Sequence, residues 1–340
     1  MKILFLIWRD IFTASSRYRV YQYLDELKLK GFQYQIKFLP KKGIVPRIFF
    51  VISSIFIAIN NDIIFIQKIL FPSPIVYILK FLNKNIIFDW DDALYAEPPF
   101  GKQSKKEIAK RQYKLRIILK ICKLTIVGNH HLKKYALNFN KNIVIIPTSI
   151  ITSSYKLKKN YDSSPLIIGW IGSSGNLGYL KKLDEVFETI SKKYKDKVVL
   201  KVVCDKPFYS RSGINIINKK WTLSDEIPNI ITFDIGIMPL NKDEWSKGKC
   251  AFKALQYMAC GVPCIASPIG ANMKVIKNRI NGYLVSTPDE WVEKLSILIE
   301  NRNLREIYGK NGRKIVDKEY SAKISLHKII NAFVIVTCGK

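Results

Sequence analysis

Acidic residues are scarce in this chain: 27 Asp and Glu stand against 56 Lys and Arg, leaving a net charge of +29. That excess predicts attraction to polyanions, whether nucleic acid, an anionic membrane surface or phosphorylated substrates, without choosing among them. Cysteine is also sparse. The six residues Cys122, Cys204, Cys250, Cys260, Cys264 and Cys338 form no CxxC pair, so no metal site is read and free buried thiols in a reducing compartment are expected. No apolar run reaches the roughly 20 residues a bilayer-spanning helix needs. The most apolar stretch, "RIFFVISSIFIAINNDIIFIQ", is broken by Asn60, Asn61 and Asp62 and reads as a core helix followed by a strand, with a re-entrant or interfacial segment as the alternative. The start, "MKILFLIWRD", lacks a small-residue cleavage pattern and reads as a buried first strand, not a signal peptide. Zinc-finger spacing, an RNP-type aromatic motif and a basic tail outside the folded pattern are all missing, which argues against specific nucleic-acid binding. A cytoplasmic location, peripheral on the cytoplasmic face of the inner membrane where lipid is met, is the expectation.

Over residues 1–150 short apolar strands alternate with helical patterns: "KILFLIW", a helix from Ser16 to Lys30, "YQIKFL", a helix from Val45 to Ile59, "DIIFIQK", and onward to "NIVIIPT". That alternation predicts a doubly wound α/β domain with a parallel sheet. The polar, aperiodic residues 151–164 read as a linker. The pattern restarts over residues 165–320 with "LIIGWIG", a helix from Tyr179 to Lys193, "VVLKVVC" and "DIGIMPL", predicting a second doubly wound domain. Residues 321–340 read as a terminal helix that packs back on the first domain. In such sheets ligands bind beyond the carboxyl ends of the strands, which puts the expected site in the cleft between two facing domains.

The loops after those strands carry the candidate chemistry. In "RDIFTASSRYRVYQYLDEL" Ser15 or Ser16 can cap a helix whose first turn holds Arg17 and Arg19. Cations there oppose the helix dipole unless an anion is bound, local salt bridges being the competing explanation. In "GWIGSSGNLGYLKKL" the turn Gly172, Ser173, Ser174 and Gly175 permits close backbone approach to a ligand, or is simply a tight turn. In "NKDEWSKGKCAFKALQYMA" three lysines fall within seven residues, Lys247 to Lys253. Lys249 and Lys253, four apart, are expected on one face of a helix, where repulsion favours a bound anion. In "FDWDDALYAEPPFGK" Asp91 and Asp92 can accept hydrogen bonds from sugar hydroxyls or take a proton, with helix capping as the alternative.

Together "SSRYRVYQYLDEL", "FDWDDALY", "VGNHHLKKYA", "WIGSSGNLGYL" and "DIGIMPLNKDEWSKGKCAFKALQYMACGVPCIASPIGAN" resemble bacterial glycosyltransferases of family 4, the group 1 type, most specifically from Asp234 to Tyr320. The resemblance implies the GT-B fold, two Rossmann-like domains around a cleft. It implies a nucleotide-sugar donor held mainly by the second domain, a glycan or lipid-linked glycan acceptor on the first, no metal or other cofactor, and retention of anomeric configuration. It adds Pro239 and Gln256 to the donor-binding set, beside Arg17, Arg19, Gly172, Ser173, Ser174, Lys249 and Lys253. It departs from the family where the usual Glu-x7-Glu motif aligns with Gly248 and Gln256, and where the usual Arg and Lys after the second domain's first strand are missing. Diphosphate neutralisation would then fall to Lys249 or Lys253, with Asp91 or Asp92 orienting a sugar.

The expected pathway is cell-surface polysaccharide or lipopolysaccharide assembly. The segment "KQSKKEIAKRQYKLRIILKICK", Lys102 to Lys123, holds nine Lys and Arg with one Glu, and reads as a basic amphipathic helix able to lie on anionic lipid. Its alternative is a soluble helix in a lysine-rich protein. A catalytically silent GT-B protein, a hydrolysing epimerase on the same fold and a basic nucleic-acid-binding protein stand as competing functions.

Overall fold

The computed structural model describes residues 1–101 and 103–338. Lys102, which opens the basic segment, and Gly339 and Lys340, at the end of the range 321–340, lie outside the described residues. Two six-stranded sheets, parallel throughout, organise the rest. The first contains β1 (Lys2–Ile7), β2 (Gln33–Phe38), β3 (Ile63–Gln67), β4 (Ile86–Trp90), β5 (Leu124–Val127) and β6 (Ile143–Ile145) in the order β2-β1-β3-β4-β5-β6. The second contains β7 (Leu166–Ile171), β8 (Val198–Cys204), β9 (Asn215–Lys220), β10 (Ile235–Met238), β11 (Cys264–Ala266) and β12 (Gly282–Leu284) in the order β12-β11-β10-β7-β8-β9. Helices cover both faces, so central strands are buried along their whole length and must be apolar on both sides. "IIFIQ" of β3 meets that requirement up to its last residue, and "VVLKVVC" of β8 meets it except at Lys201, whose buried ammonium donates to the Thr232 hydroxyl at 2.9 Å, whereas "NIINKK" of edge strand β9 is largely exposed. This is the GT-B architecture.

In each sheet the strand order reverses once, between β1 and β3 and between β7 and β10, and at such points the loops beyond the strands splay to leave a crevice. The chain crosses between domains twice. Where it does, the Ile150 N–H donates to Tyr320 O at 3.0 Å and the Ala322 N–H to Ile150 O at 2.8 Å, tying the two crossings together. The helix Ala322–Cys338 then lies on the first sheet, burying Leu326, Ile329, Phe333 and Val336 against Ile3, Phe5 and Phe65.

Three sequence expectations need correction. The helix expected from Ser16 to Lys30 is split into Ala14–Arg19, a 3-10 turn and Leu24–Leu29, because Arg19 is drawn into the core and bends the backbone at Val20. The helix expected from Tyr179 to Lys193 breaks into Leu177–Lys181 and Asp184–Tyr194. The helix expected as core over Val45 to Ile59 forms as Ile44–Ala58 but buries only the stripe Phe50, Ser54 and Ala58, because the strands beneath supply one apolar face to pack against, not two.

Candidate active site

An ion-pair cluster closes the middle of the cleft. Lys68 follows β3, and its backbone turns into the left-handed region (φ 61), with its side chain reaching the loop after β4. There Lys68 Nζ pairs with Asp92 and, at 3.0 Å, with Asp91 Oδ1. Asp91 also accepts from the Ser15 hydroxyl at 2.7 Å, so Ser15 does not cap its helix. Across the cleft Lys249 Nζ reaches Asp92 Oδ1 at 2.9 Å while lying over the Trp245 ring. Burial alone would raise the Asp92 carboxyl, but Lys249 and Lys68 outweigh it and hold the group well below the usual carboxylate range. Asp92 is therefore an anion and cannot donate a proton near neutral pH. Asn129, at the end of β5, donates to the carbonyls of Lys247, Gly248 and Lys249 at 3.2, 3.0 and 3.1 Å and fixes the lysine loop against the first domain.

Lys249 and Lys253 do not share a helix, contrary to their spacing. The helix begins only at Phe252, because Ala251 adopts a left-handed conformation (φ 56) that cannot continue it N-terminally, and Lys249 sits in the turn before. Both side chains still line the same cavity of about 170 Å³, with Ser15, Asp91 and Asp92. Lys253 continues into a second cavity of about 450 Å³ lined by Arg17, Gly172, Ser173, Trp221, Glu226 and Gln256. Its ammonium lies over the Trp170 ring, 5.4 Å from the centroid, and forms no ion pair among the described residues, Asp92 acting on it only at longer range. Burial and then the Lys249 charge push its pKa down to about 8. Gly172 makes this possible, since a Cβ there would fall 2.7 Å from the Trp170 ring and 2.8 Å from Lys253 Cε. The Ser174 N–H and hydroxyl both donate to Asp205, at 2.6 and 2.7 Å, and Ser173 Oγ accepts from Asn176. Pro239 is buried just beyond β10 and lines neither cavity.

The wall of the larger cavity is built on Glu226, which no sequence motif marked. Its buried carboxylate accepts from Arg17 Nη2 at 2.9 Å, the Tyr18 hydroxyl at 2.8 Å, Trp221 Nε1 at 2.9 Å and Gln256 Nε2 at 2.9 Å. Arg17 is thus already paired, across the cleft. Arg19, also expected at an anion, edges the smaller cavity, but its guanidinium is buried and already bonded to Asp89 and to Ile146 O. Among the described residues no group of three His, Cys, Asp or Glu side chains is placed to hold a metal ion.

Gly248, in place of the usual first Glu, is pressed against the loop after β4: a Cβ there would lie 2.5 Å from Ala93 N and 2.6 Å from Ala93 Cβ. The position has no room for any side chain. Restoring the motif by Gly248→Glu is expected to lower turnover rather than raise it, and to cost about 1–3 kcal/mol of stability by overpacking. Thermal melting and donor turnover of the variant check this; a more active, equally stable variant would refute it.

Comparison with known proteins agrees with this architecture. Residues 218–315, which include Glu226, Lys249, Lys253 and Gln256, match the family model described as glycosyl transferases group 1. An uncharacterized glycosyltransferase of Methanocaldococcus jannaschii is 33% identical over 88 residues, 25% of this chain and 22% of that protein. The capsular polysaccharide biosynthesis glycosyltransferase CapM of Staphylococcus aureus is 27% identical over 123 residues, 35% of this chain and 31% of that protein. The chain therefore spans less than a third of the length of these relatives. Among solved structures, HepE of Anabaena, in complex with UDP and glucose, superposes with a TM-score of 0.71 at 12% identity, covering 97% of this chain and 98% of that one. Sucrose-phosphate synthase of Thermosynechococcus elongatus superposes with a TM-score of 0.73 at 12% identity, with both chains covered in full. The resemblance to group 1 glycosyltransferases and the GT-B fold are both supported.

Proposed function

We propose that this protein is a glycosyltransferase that moves a sugar from a nucleotide-sugar donor, with retention and without a metal ion, to a glycan or lipid-linked glycan acceptor in cell-surface polysaccharide assembly. The observation that carries the reading is Lys253: a cation in the cleft that forms no ion pair among the described residues, at the junction of two cavities. A diphosphate placed there supplies the missing charge. The nucleoside then occupies the larger cavity, toward Trp221 and Gln256, and the sugar the smaller one, against Asp91 and Asp92. CapM, named for capsular polysaccharide biosynthesis, and HepE, solved with UDP and glucose, support the pathway and the donor class respectively.

In the reaction the bond from the anomeric carbon to the diphosphate oxygen breaks and its electron pair stays on the phosphate. The acceptor hydroxyl oxygen bonds to the anomeric carbon from the same face and passes its proton to the departing diphosphate. Charge grows on that leaving group, so a preplaced ammonium stabilises the transition state more than the ground state. Asp92, kept ionised by its two lysines, is an acceptor for sugar hydroxyls and a counter-charge to the positive character developing on the ring.

The closed Gly248 position favours a second reading, a GT-B protein that binds nucleotide but does not transfer. Incubation with UDP-, GDP- and ADP-sugars, with and without cell-wall glycan and lipid-linked glycan extracts, separates the two. Release of nucleoside diphosphate that depends on acceptor establishes the transferase. Binding without release under every combination would leave the silent protein.

A further inference from the structure

The helix Ile44–Ala58 has a solvent face that a soluble protein has no reason to keep. Phe49 and Phe56 are each 69% exposed, with Ile44, Val45, Ile48 and Ile52 around them, and the adjoining helix Ser73–Leu82 adds Tyr77 and Phe81, the latter 88% exposed. Contiguous apolar surface of this kind marks an interface. The helix is 15 residues long, and no described helix is long and apolar enough to cross a membrane, so this surface can lie on a bilayer but not span one.

The charge around the patch names the partner. From Gln33 to Lys84 the chain carries six lysines and one arginine against a single acid, Asp62; of these Lys68 is turned into the cleft and Lys41 pairs with Asp10, leaving Lys37, Lys42, Arg47, Lys80 and Lys84. Lys37 sits under Phe49, and Arg47 is held at the helix start by the carbonyls of Pro40 and Lys41. Between helix and sheet runs an apolar groove of about 550 Å³ whose walls include Trp8, Leu39 and Phe71, with Arg9, Arg47 and Lys114 as its cations. Apolar side chains ringed by cations fit an anionic lipid surface: hydrocarbon below, phosphate at the rim. They do not fit a nucleic acid, which offers no hydrocarbon to so many exposed aromatic and aliphatic groups.

The groove also adjoins the cleft. The N–H of Trp8, in the groove wall, donates to Gln67 Oε1 at 3.1 Å, Gln67 Nε2 to Ser15 Oγ at 3.0 Å, and Ser15 to Asp91. One hydrogen-bonded chain joins lipid groove to sugar site.

We infer that the face formed by helices Ile44–Ala58 and Ser73–Leu82 docks the protein on an anionic bilayer, with the groove taking a lipid's hydrocarbon chain. The basic helix Lys105–Ile121, expected to do this, has its apolar stripe Leu115, Ile118 and Leu119 buried in the core, and contributes charge alone. The inference rests on the proposed transferase only for what the lipid delivers, namely an acceptor presented at the membrane surface; docking itself is independent of turnover.

Vesicle sedimentation tests it. The whole protein is mixed with vesicles of phosphatidylcholine and of phosphatidylcholine with phosphatidylglycerol, at low and at physiological salt. A charge of +29 gives some binding to any anionic vesicle at low salt, so the discriminating variant keeps the charge: Phe49→Ser, Phe56→Ser and Phe81→Ser together. Their exposure makes loss of fold improbable as an explanation, and circular dichroism melting verifies it. The expected result is binding to phosphatidylglycerol vesicles that persists at physiological salt and falls at least tenfold in the triple variant. Equal binding by the triple variant, or no binding by the parent at physiological salt, overturns the inference. A parent that is dimeric by light scattering, made monomeric by the same changes and indifferent to vesicles, would overturn it in favour of a second copy of this chain.

Discussion

Lys253→Ala is expected to lower donor turnover roughly 10²–10³-fold, the loss that follows when one preorganised group facing a developing anion is removed. Folding should survive intact or improve, because the variant discards a half-buried ammonium that forms no ion pair among the described residues and feels Asp92 only at a distance. The same residue predicts a pH signature. Burial and Lys249 set its pKa at about 8 in the free protein, and a bound diphosphate raises it. Below pH 8 the ammonium is already charged and nucleotide affinity is level. Above it binding must take up a proton, so affinity declines with pH by up to tenfold per unit until the pKa of the complex is reached. In Lys253→Ala that decline disappears. Titrations of nucleoside diphosphate from pH 6 to 10 on both proteins measure it, and an unchanged slope in the variant would move the anion site elsewhere.

Glu226→Ala is expected to be the most destabilising single change in the cleft, at about 3–5 kcal/mol, the cost of stranding a buried partner of an ion pair. Arg17 would keep its charge with no counterion, and Tyr18, Trp221 and Gln256 would each lose an acceptor. Arg17 and Tyr18 belong to the first domain and the other two to the second, so the loss falls on the contact between domains. Glu226→Gln, which keeps one carbonyl acceptor, should lie well below Glu226→Ala in cost. Urea denaturation of the three proteins orders them; alanine and glutamine variants of equal stability would mean the carboxylate charge contributes little.

The fold was legible because it depends on period and sign. Buried parallel strands read as near-continuous apolar runs, and "ILFLI", "IIFI" and, but for Lys201, "VVLKVVC" are such runs. The candidate site was legible where chemistry accumulates locally: Asp91 and Asp92 at one strand end and Lys249 and Lys253 around one helix start come to line one cavity. What escaped is whatever needs a partner far along the chain. Glu226 lies 209 residues from Arg17, and in its own segment, "TLSDEIPNI", it is an ordinary helix-start acid. Lys68 closes "DIIFIQK" and follows a strand's carboxyl end, a position where loops carry function, so that rule applied to the first domain's third strand would have found it. Arg19 misled because an arginine in a first helical turn reads the same whether it awaits an anion or reaches inward to Asp89. The helix Ile44–Ala58 was read as core first and interfacial second for a related reason: hydrophobicity predicts desolvation but does not say whether the core or another surface supplies it, and here most of the apolar side chains stay exposed.

The account stands or falls on whether the cleft binds a nucleoside diphosphate through Lys253. Calorimetric titration of the protein with UDP, GDP and ADP, each beside its monophosphate, measures this directly. The account predicts that one diphosphate binds with clear preference over its monophosphate, and that Lys253→Ala removes that preference while the protein remains folded. A folded protein that binds none of the three, or that binds one equally well with and without Lys253, would contradict it.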